Sequence, residues 1–318
     1  MSFINSLVKV QAYLALVGLI CIHPLLMFVA LLTKIFAKCA CRAPQNIEGE
    51  VALVTGAGHG LGRAIALELA KKGCHIAAVD INLSGAESTV KLISDTCAVR
   101  AKAYKVNVAN YLELETANEQ ISADLGFVTI LINNAGILML RNPINPEPAD
   151  IQRMMDVNVL SHFWTKGVFL PKMKELRRGH IVTISSAASL FPLAYNTAYV
   201  ASKFAASGHM KALRQELLIE RQPDIHVCTV MPSFLRTNDE VTDVANEVRF
   251  NRIYPLISGE AAARRIVKGM LRYEREIVLP DMLALIYRAI VVMPAYWQDH
   301  LGPWIFGDRF REFHKLKA

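Results

Sequence analysis

Residues 50–62 read Glu-Val-Ala-Leu-Val-Thr-Gly-Ala-Gly-His-Gly-Leu-Gly, a short apolar strand that runs into four alternating glycines. The helical stretch Arg63-Ala-Ile-Ala-Leu-Glu-Leu-Ala-Lys-Lys follows and stops at Gly73. Strand, glycine turn and helix in that order aim backbone N–H groups and the positive end of a helix dipole at a pyrophosphate. A Cβ at the glycines would block the phosphate or the packing of helix on strand. Gly56, Gly58, His59, Gly60, Leu61 and Gly62 are therefore candidate dinucleotide contacts.

The second strand, His75-Ile-Ala-Ala-Val-Asp80, ends on an acid 24 residues after Gly56. A carboxylate there can hydrogen-bond the adenosine ribose hydroxyls and repel a 2′-phosphate, which favours NAD over NADP. The plainer reading of Asp80 is a turn residue after a strand. His59 and Arg63 are basic, and they keep NADP open as an alternative.

Apolar runs at 51–54, 76–79, 129–132, 181–184, 225–230 and 277–279 alternate with helical stretches that include 84–95, 110–124, 148–172, 197–219 and 259–273, and a further strand at 101–106 fits between them. That pattern predicts an α/β fold with a doubly wound parallel sheet of Rossmann type in a single domain. Ligands in such sheets sit beyond the carboxyl ends of the strands, where the glycine turn, Asn133, Ser186 and Pro232 fall.

Tyr199 and Lys203 stand four residues apart in Tyr-Val-Ala-Ser-Lys, on one face of a helix. A phenol is a poor base at neutral pH until a positive charge favours the phenolate. At about 4 Å and an effective dielectric of about 20, a unit charge supplies roughly 4 kcal/mol toward that end. The spacing predicts a phenol whose pKa the lysine draws down. Alone, such a pair also fits two surface neighbours.

With Thr55-Gly-Ala-Gly-His-Gly-Leu-Gly62, Asn133-Asn-Ala-Gly136 and Tyr199-Val-Ala-Ser-Lys203 in that order, the chain resembles the short-chain dehydrogenase/reductase family over roughly residues 48–280. The phrases at 157–164 and 202–206 are similar to the branch holding epidermal retinol dehydrogenase and 17-beta-hydroxysteroid dehydrogenase type 11. By position, the resemblance implies a catalytic set of Asn158, Ser186, Tyr199 and Lys203, with Ser185 a neighbour that could be mistaken for Ser186. It adds Asn107, Val108, Asn133, Ala135, Gly136, Pro232 and Thr237 to the cofactor contacts, with Tyr199 and Lys203 touching the cofactor as well. Two positions depart from the family: Asn107 stands where an aspartate is usual, and Ser233 follows Pro232 where a glycine is common. The resemblance further implies a lipophilic alcohol as substrate, oxidised with NAD, and a place at endoplasmic reticulum or lipid-droplet surfaces. The alternatives are an NADPH-dependent carbonyl reductase and a catalytically silent lipid-droplet surface protein.

Residues 1–45 are different in kind from the catalytic domain expected over 46–280. Val10–Thr33 carries 24 residues without a charge, about 36 Å as helix against a hydrocarbon core of about 30 Å. This predicts a membrane segment, with Pro24 leaving a kinked span and a hairpin equally open. Lys34, Lys38 and Arg42 outnumber Lys9 across it, so the domain is expected to face the cytosol. Residues 281–318 form an apolar and aromatic tail suited to core packing, a subunit contact such as a homodimer, or a bilayer surface.

The net charge of +7 draws four positives from residues 1–47, so anionic lipid is the expected partner rather than nucleic acid. Six cysteines without Cys-x-x-Cys spacing read as cytosolic thiols, with Cys39 and Cys41 as candidate acylation sites. No histidine pair has zinc-binding spacing, and no metal is expected. The connection Phe234–Ser258 is expected to be a lid that selects the substrate.

Overall fold

β1 (Val51–Thr55) leads into α1 (Gly60–Ala70), β2 (His75–Asp80) into α2 (Leu83–Thr96), and β3 (Ala101–Lys105) into α3 (Tyr111–Asp124). β4 (Val128–Asn133) is followed by α4 (Pro148–Met155), one π-helical turn (Asp156–Leu160) and α5 (Ser161–Glu175). β5 (Gly179–Ile184), α6 (Thr197–Ile219) and β6 (Ile225–Pro232) come next. Then follow the short β7 (Leu235–Arg236) and β8 (Ile257–Ser258), α7 (Gly259–Met270), β9 (Glu276–Leu279) and α8 (Met282–Val291). The central strands β1, β2, β4, β5 and β6 are buried almost throughout, while β3 keeps mainly Tyr104 buried. This computed structural model describes residues 44–138, 146–192, 194–237 and 256–301 together with Phe28, Thr242 and Trp304.

Seven strands form one parallel sheet in the order β3-β2-β1-β4-β5-β6-β9, and β7 pairs with β8 beside it. The order reverses between β1 and β4, so a cleft opens at their carboxyl ends, at the glycine turn. One apolar layer packs α1 and α7 against the sheet through Ile65, Leu69, Ile266 and Met270. The opposite layer packs α3, α5 and α6 through Leu114, Phe169, Met173, Met210 and Leu213. Both faces are covered, which explains why β1 and β4 are buried at every residue.

The α/β expectation holds, with strand ends displaced by a residue or two. The stretch 148–172, expected as one helix, is broken by the π-turn, because Asn158 turns inward to bond the loop after β4. Apart from Phe28, the expected membrane segment Val10–Thr33 lies outside the described residues, as do Cys39, Cys41, most of the expected lid and most of the tail beyond His300. Among the described residues no helix is long and apolar enough to cross a membrane.

Candidate active site

The glycine turn is shaped by bonds from both neighbouring strands. The Thr55 hydroxyl oxygen accepts the N–H groups of Asn134 and Ala135, each at 3.0 Å, and the Asn134 side chain donates to the carbonyls of Thr55 at 2.9 Å and Gly56 at 3.2 Å. Gly56 has φ +64°, a conformation that costs glycine little. At Gly62 a Cβ would fall 2.0 Å from the Gly56 carbonyl oxygen, so α1 can start only with a glycine there. His59 precedes α1 without capping it, and no acid stands in the first turn, so the positive end of the helix keeps its N–H groups facing the turn.

Asp80 lies buried at the end of β2. Its Oδ2 accepts the Gly58 N–H at 2.7 Å and its Oδ1 the Asn82 N–H at 2.9 Å. Thr237 packs on Gly60, where a Cβ would sit 3.6 Å from the threonine Cβ. Leu61 lies in the first turn of α1, packed against the core, and Pro232 closes β6. Val108 is buried, and the neighbouring Asn107 spends its Oδ1 on the Ala109 N–H at 3.1 Å. That amide shapes its own turn. Asn133 is a sheet residue, with its Nδ2 3.4 Å from the Thr183 hydroxyl and its buried Oδ1 unpartnered. Ala135 and Gly136 follow, and a Cβ on Gly136 would lie 3.3 Å from Asn158 Oδ1 and 3.4 Å from Lys203 Nζ.

Asn158, Ser186, Tyr199 and Lys203 are set around the carboxyl ends of β4 and β5. Asn158 is fully buried, bonded through Oδ1 to the Ile137 N–H at 2.8 Å and through Nδ2 to the Ile137 carbonyl at 2.9 Å and the Ser202 hydroxyl at 3.1 Å. Ser186 caps a short 3₁₀ turn, accepting the Ala188 N–H at 3.1 Å, and its side chain acts to lower the pKa of the Tyr199 phenol. Ser185 is structural: its hydroxyl donates to the Lys203 carbonyl at 3.0 Å and meets Ser207 at 2.8 Å.

The expected electrostatics of the pair are corrected by this geometry. The Lys203 ammonium donates to the Ile184 carbonyl at 3.1 Å and lies 5.6 Å from the centroid of the Tyr199 ring. Burial pushes the Tyr199 phenol above its ordinary pKa, with Ser186 pulling the other way. The lysine is not among the groups that move it. Burial also draws Lys203 down to about 8, because a desolvated ammonium is disfavoured. Ser186 is thus the neighbour that lowers the phenol in this arrangement.

Sequence reasoning passed over Thr55, Asn134, Thr89 and Ser202, and took Arg63 only for a basic residue. The Arg63 guanidinium donates through Nη2 to the Gly58 carbonyl and through Nε to the Thr89 hydroxyl at 3.0 Å. The second asparagine of Asn133-Asn134 was the visible signal, since a polar pair ending an apolar strand must find partners.

Residues 50–247 match the family described as short chain dehydrogenase. The chain is 32% identical over 262 residues to short-chain dehydrogenase/reductase family 16C member 6 of Bos taurus, covering 82% of each chain. It is 32% identical to estradiol 17-beta-dehydrogenase 11 of Mus musculus, covering 85% of this chain and 88% of that one. It is also 32% identical to epidermal retinol dehydrogenase 2 of Mus musculus, covering 79% and 80%. Among solved structures, a short chain dehydrogenase/reductase of Burkholderia phymatum in complex with NAD superposes with TM-score 0.69 at 20% identity, covering 77% of this chain and 93% of that chain. A short chain dehydrogenase of Mycobacterium paratuberculosis bound to NAD gives TM-score 0.64 at 28% identity, covering 74% and 97%. On the match over 50–247 and the extent of these likenesses, the chain belongs to the short-chain dehydrogenase family.

Proposed function

We propose that this chain is a membrane-associated dehydrogenase that transfers a hydride between a lipid alcohol, of the retinol, steroid or related kind, and NAD. The observation that carries the reading is the placement of Lys203 one helical turn after Tyr199, its ammonium bonded to the Ile184 carbonyl at the end of β5 and 5.6 Å from the phenol ring centroid, with Ser186 following that strand. These groups lie at the carboxyl ends of the strands, as the glycine turn does.

The residues present fit the dinucleotide. The uncapped start of α1 and the glycines of residues 56–62 suit the pyrophosphate. Asp80 stands at the ribose position, and Lys203 and Thr237 stand at the nicotinamide end. Bound there, NAD supplies the hydride acceptor. As the phenolate, Tyr199 takes the hydroxyl proton of the alcohol and becomes the phenol, and Ser186 holds the substrate oxygen in line with it. Lys203 lies next to Asn158 across Gly136, where Asn158 would hold a water that links the lysine to bulk solvent and gives the proton a way out. A positioned acid–base group of this kind contributes about 10²–10⁴ in rate.

An apolar substrate is supported by the surroundings of Ser186. Ala187, Leu190 and Phe191, directly after it, pack with Leu283, Ala284 and Ile286 of α8, and the Phe191 and Tyr287 rings meet edge-on at 5.8 Å. Beyond that packing, Leu285, Val292, Trp297 and Trp304 are exposed, a surface suited to a bilayer interface. With the uncharged Val10–Thr33 stretch, this favours attachment to endoplasmic reticulum or lipid droplets, the domain facing the cytosol. The relatives named for estradiol and retinol point to the same substrate class.

The test is a panel of retinoid, steroid and long-chain alcohols, assayed with NAD and NADP on the purified protein in detergent micelles. Wild type should oxidise at least one with NAD preferred, and Tyr199→Phe should lose about 10²–10⁴ of that rate. An equal rate in the variant would end the assignment of Tyr199.

A further inference from the structure

Both backbone polar groups of Gly58 are hydrogen-bonded by charged side chains. Its N–H donates to Asp80 Oδ2 at 2.7 Å, and its carbonyl accepts from Arg63 Nη2. Arg63 is held in turn, since its Nε donates to the Thr89 hydroxyl at 3.0 Å, while that hydroxyl donates to the Ala57 carbonyl at 2.7 Å. Thr89 is fully buried, on α2. The same helix presses on the turn from the other side: a Cβ on Gly85 would sit 3.2 Å from Gly58 Cα. The Ala57–Gly58 peptide is thus held at both ends, its N–H by Asp80 and its carbonyl by Thr89, while the carbonyl of the next peptide is held by Arg63, which is itself bonded to Thr89.

We propose that Arg63, fixed by Thr89, is a positioning residue that keeps the Gly58 N–H aimed at Asp80 and so keeps the carboxylate where it discriminates against a ribose phosphate. The inference rests on the NAD reading above and goes one step beyond it. In the sequence Arg63 is a cation near the phosphate turn, of the kind that would welcome an added phosphate. In the fold its Nε and Nη2 are committed to Thr89 and Gly58, and it acts in the opposite sense. Asp80 is pinned by two backbone N–H groups, Gly58 and Asn82. If the first is released, the carboxylate turns about the second and the ribose corner loses its fixed negative charge. A carboxylate has about four acceptor positions, so the two bonds leave room for ribose hydroxyls.

The experiment compares wild type, Thr89→Val, Thr89→Ser and Arg63→Met as full-length protein in detergent. It reads equilibrium binding of NADH and NADPH by nicotinamide fluorescence and hydrogen exchange of the Gly58 amide without ligand. Wild type should protect the Gly58 amide and prefer NADH. Thr89→Val and Arg63→Met should lose that protection and narrow the NADH preference about tenfold, the scale of one lost hydrogen bond to a charged group. Thr89→Ser, which keeps the hydroxyl, should behave as wild type. Unchanged protection and preference in Thr89→Val would overturn the proposal, and that isosteric variant decides the matter if Arg63→Met does not fold. Wild-type protein that binds neither dinucleotide would instead sink the NAD reading, and the exchange measurement would still decide whether Arg63 holds Gly58.

Discussion

Asn158 is bonded twice to the backbone of Ile137, accepting its N–H at 2.8 Å and donating to its carbonyl at 2.9 Å. One amide thereby sews the loop after β4 to the π-turn, and a third bond, to Ser202, adds α6. Asn158→Ala removes all three and leaves the Ile137 groups without these partners. We expect a loss of about 1–3 kcal/mol in urea unfolding, with a fall in turnover because Lys203 is next door. A wild-type unfolding midpoint in that variant would show that the stitch carries no stability.

Gly62→Ala should be the most damaging alanine substitution among the described glycines. Its Cβ would lie 2.0 Å from the Gly56 carbonyl oxygen, a backbone atom that cannot swing aside. The expected outcome is loss of soluble folded protein or of nicotinamide binding, read by circular dichroism and fluorescence titration. A folded variant that binds dinucleotide normally would contradict the close approach.

Lys203 gives a stability signature in alkali. Its folded pKa is depressed by burial to about 8, while an unfolded lysine titrates near 10.4. Between those values the unfolded chain holds more protons than the folded one, so stability rises with pH across that window. The gain is complete above the unfolded value and absent below about 8. Urea midpoints from pH 7.5 to 10 should climb less in Lys203→Met than in wild type, and parallel curves would refute the shift.

His162 and His180 work the same way in acid. Both are buried, and burial, reinforced by Lys203 and His209 around His162 and by His226 beside His180, draws each down to about 3. An unfolded histidine titrates near 6.5, so stability present above that value is lost as pH falls toward 3. His180→Gln should flatten part of this loss in denaturation curves between pH 7 and 4. Curves as steep as wild type would argue against the burial account.

Most of the fold can be read from periodicity, because β1 and β4 are buried on both faces and must be continuously apolar. In the candidate site Ser186, named by the resemblance, follows β5, and Lys203, named by the four-residue spacing, bonds the Ile184 carbonyl at the end of the same strand. The electrostatics of the site are not legible in the sequence. Four residues on a helix fix that Lys203 lies near Tyr199, but nothing in the spacing reveals the Ile184 carbonyl that takes the ammonium or the burial that moves both groups. The Thr55–Asn134 bonds join residues 79 apart, a separation that no local pattern encodes. The π-turn escapes for the same reason, since its partner Ile137 belongs to another element.

Leu235–Arg236 pairs in parallel with Ile257–Ser258, which ties together two segments of the domain 22 residues apart in sequence. Thr237, next to this clasp, touches both Gly60 and Gly259. Thr237 is therefore fastened beside the glycine turn by backbone pairing of the residues just before it, a clasp closed within the domain itself.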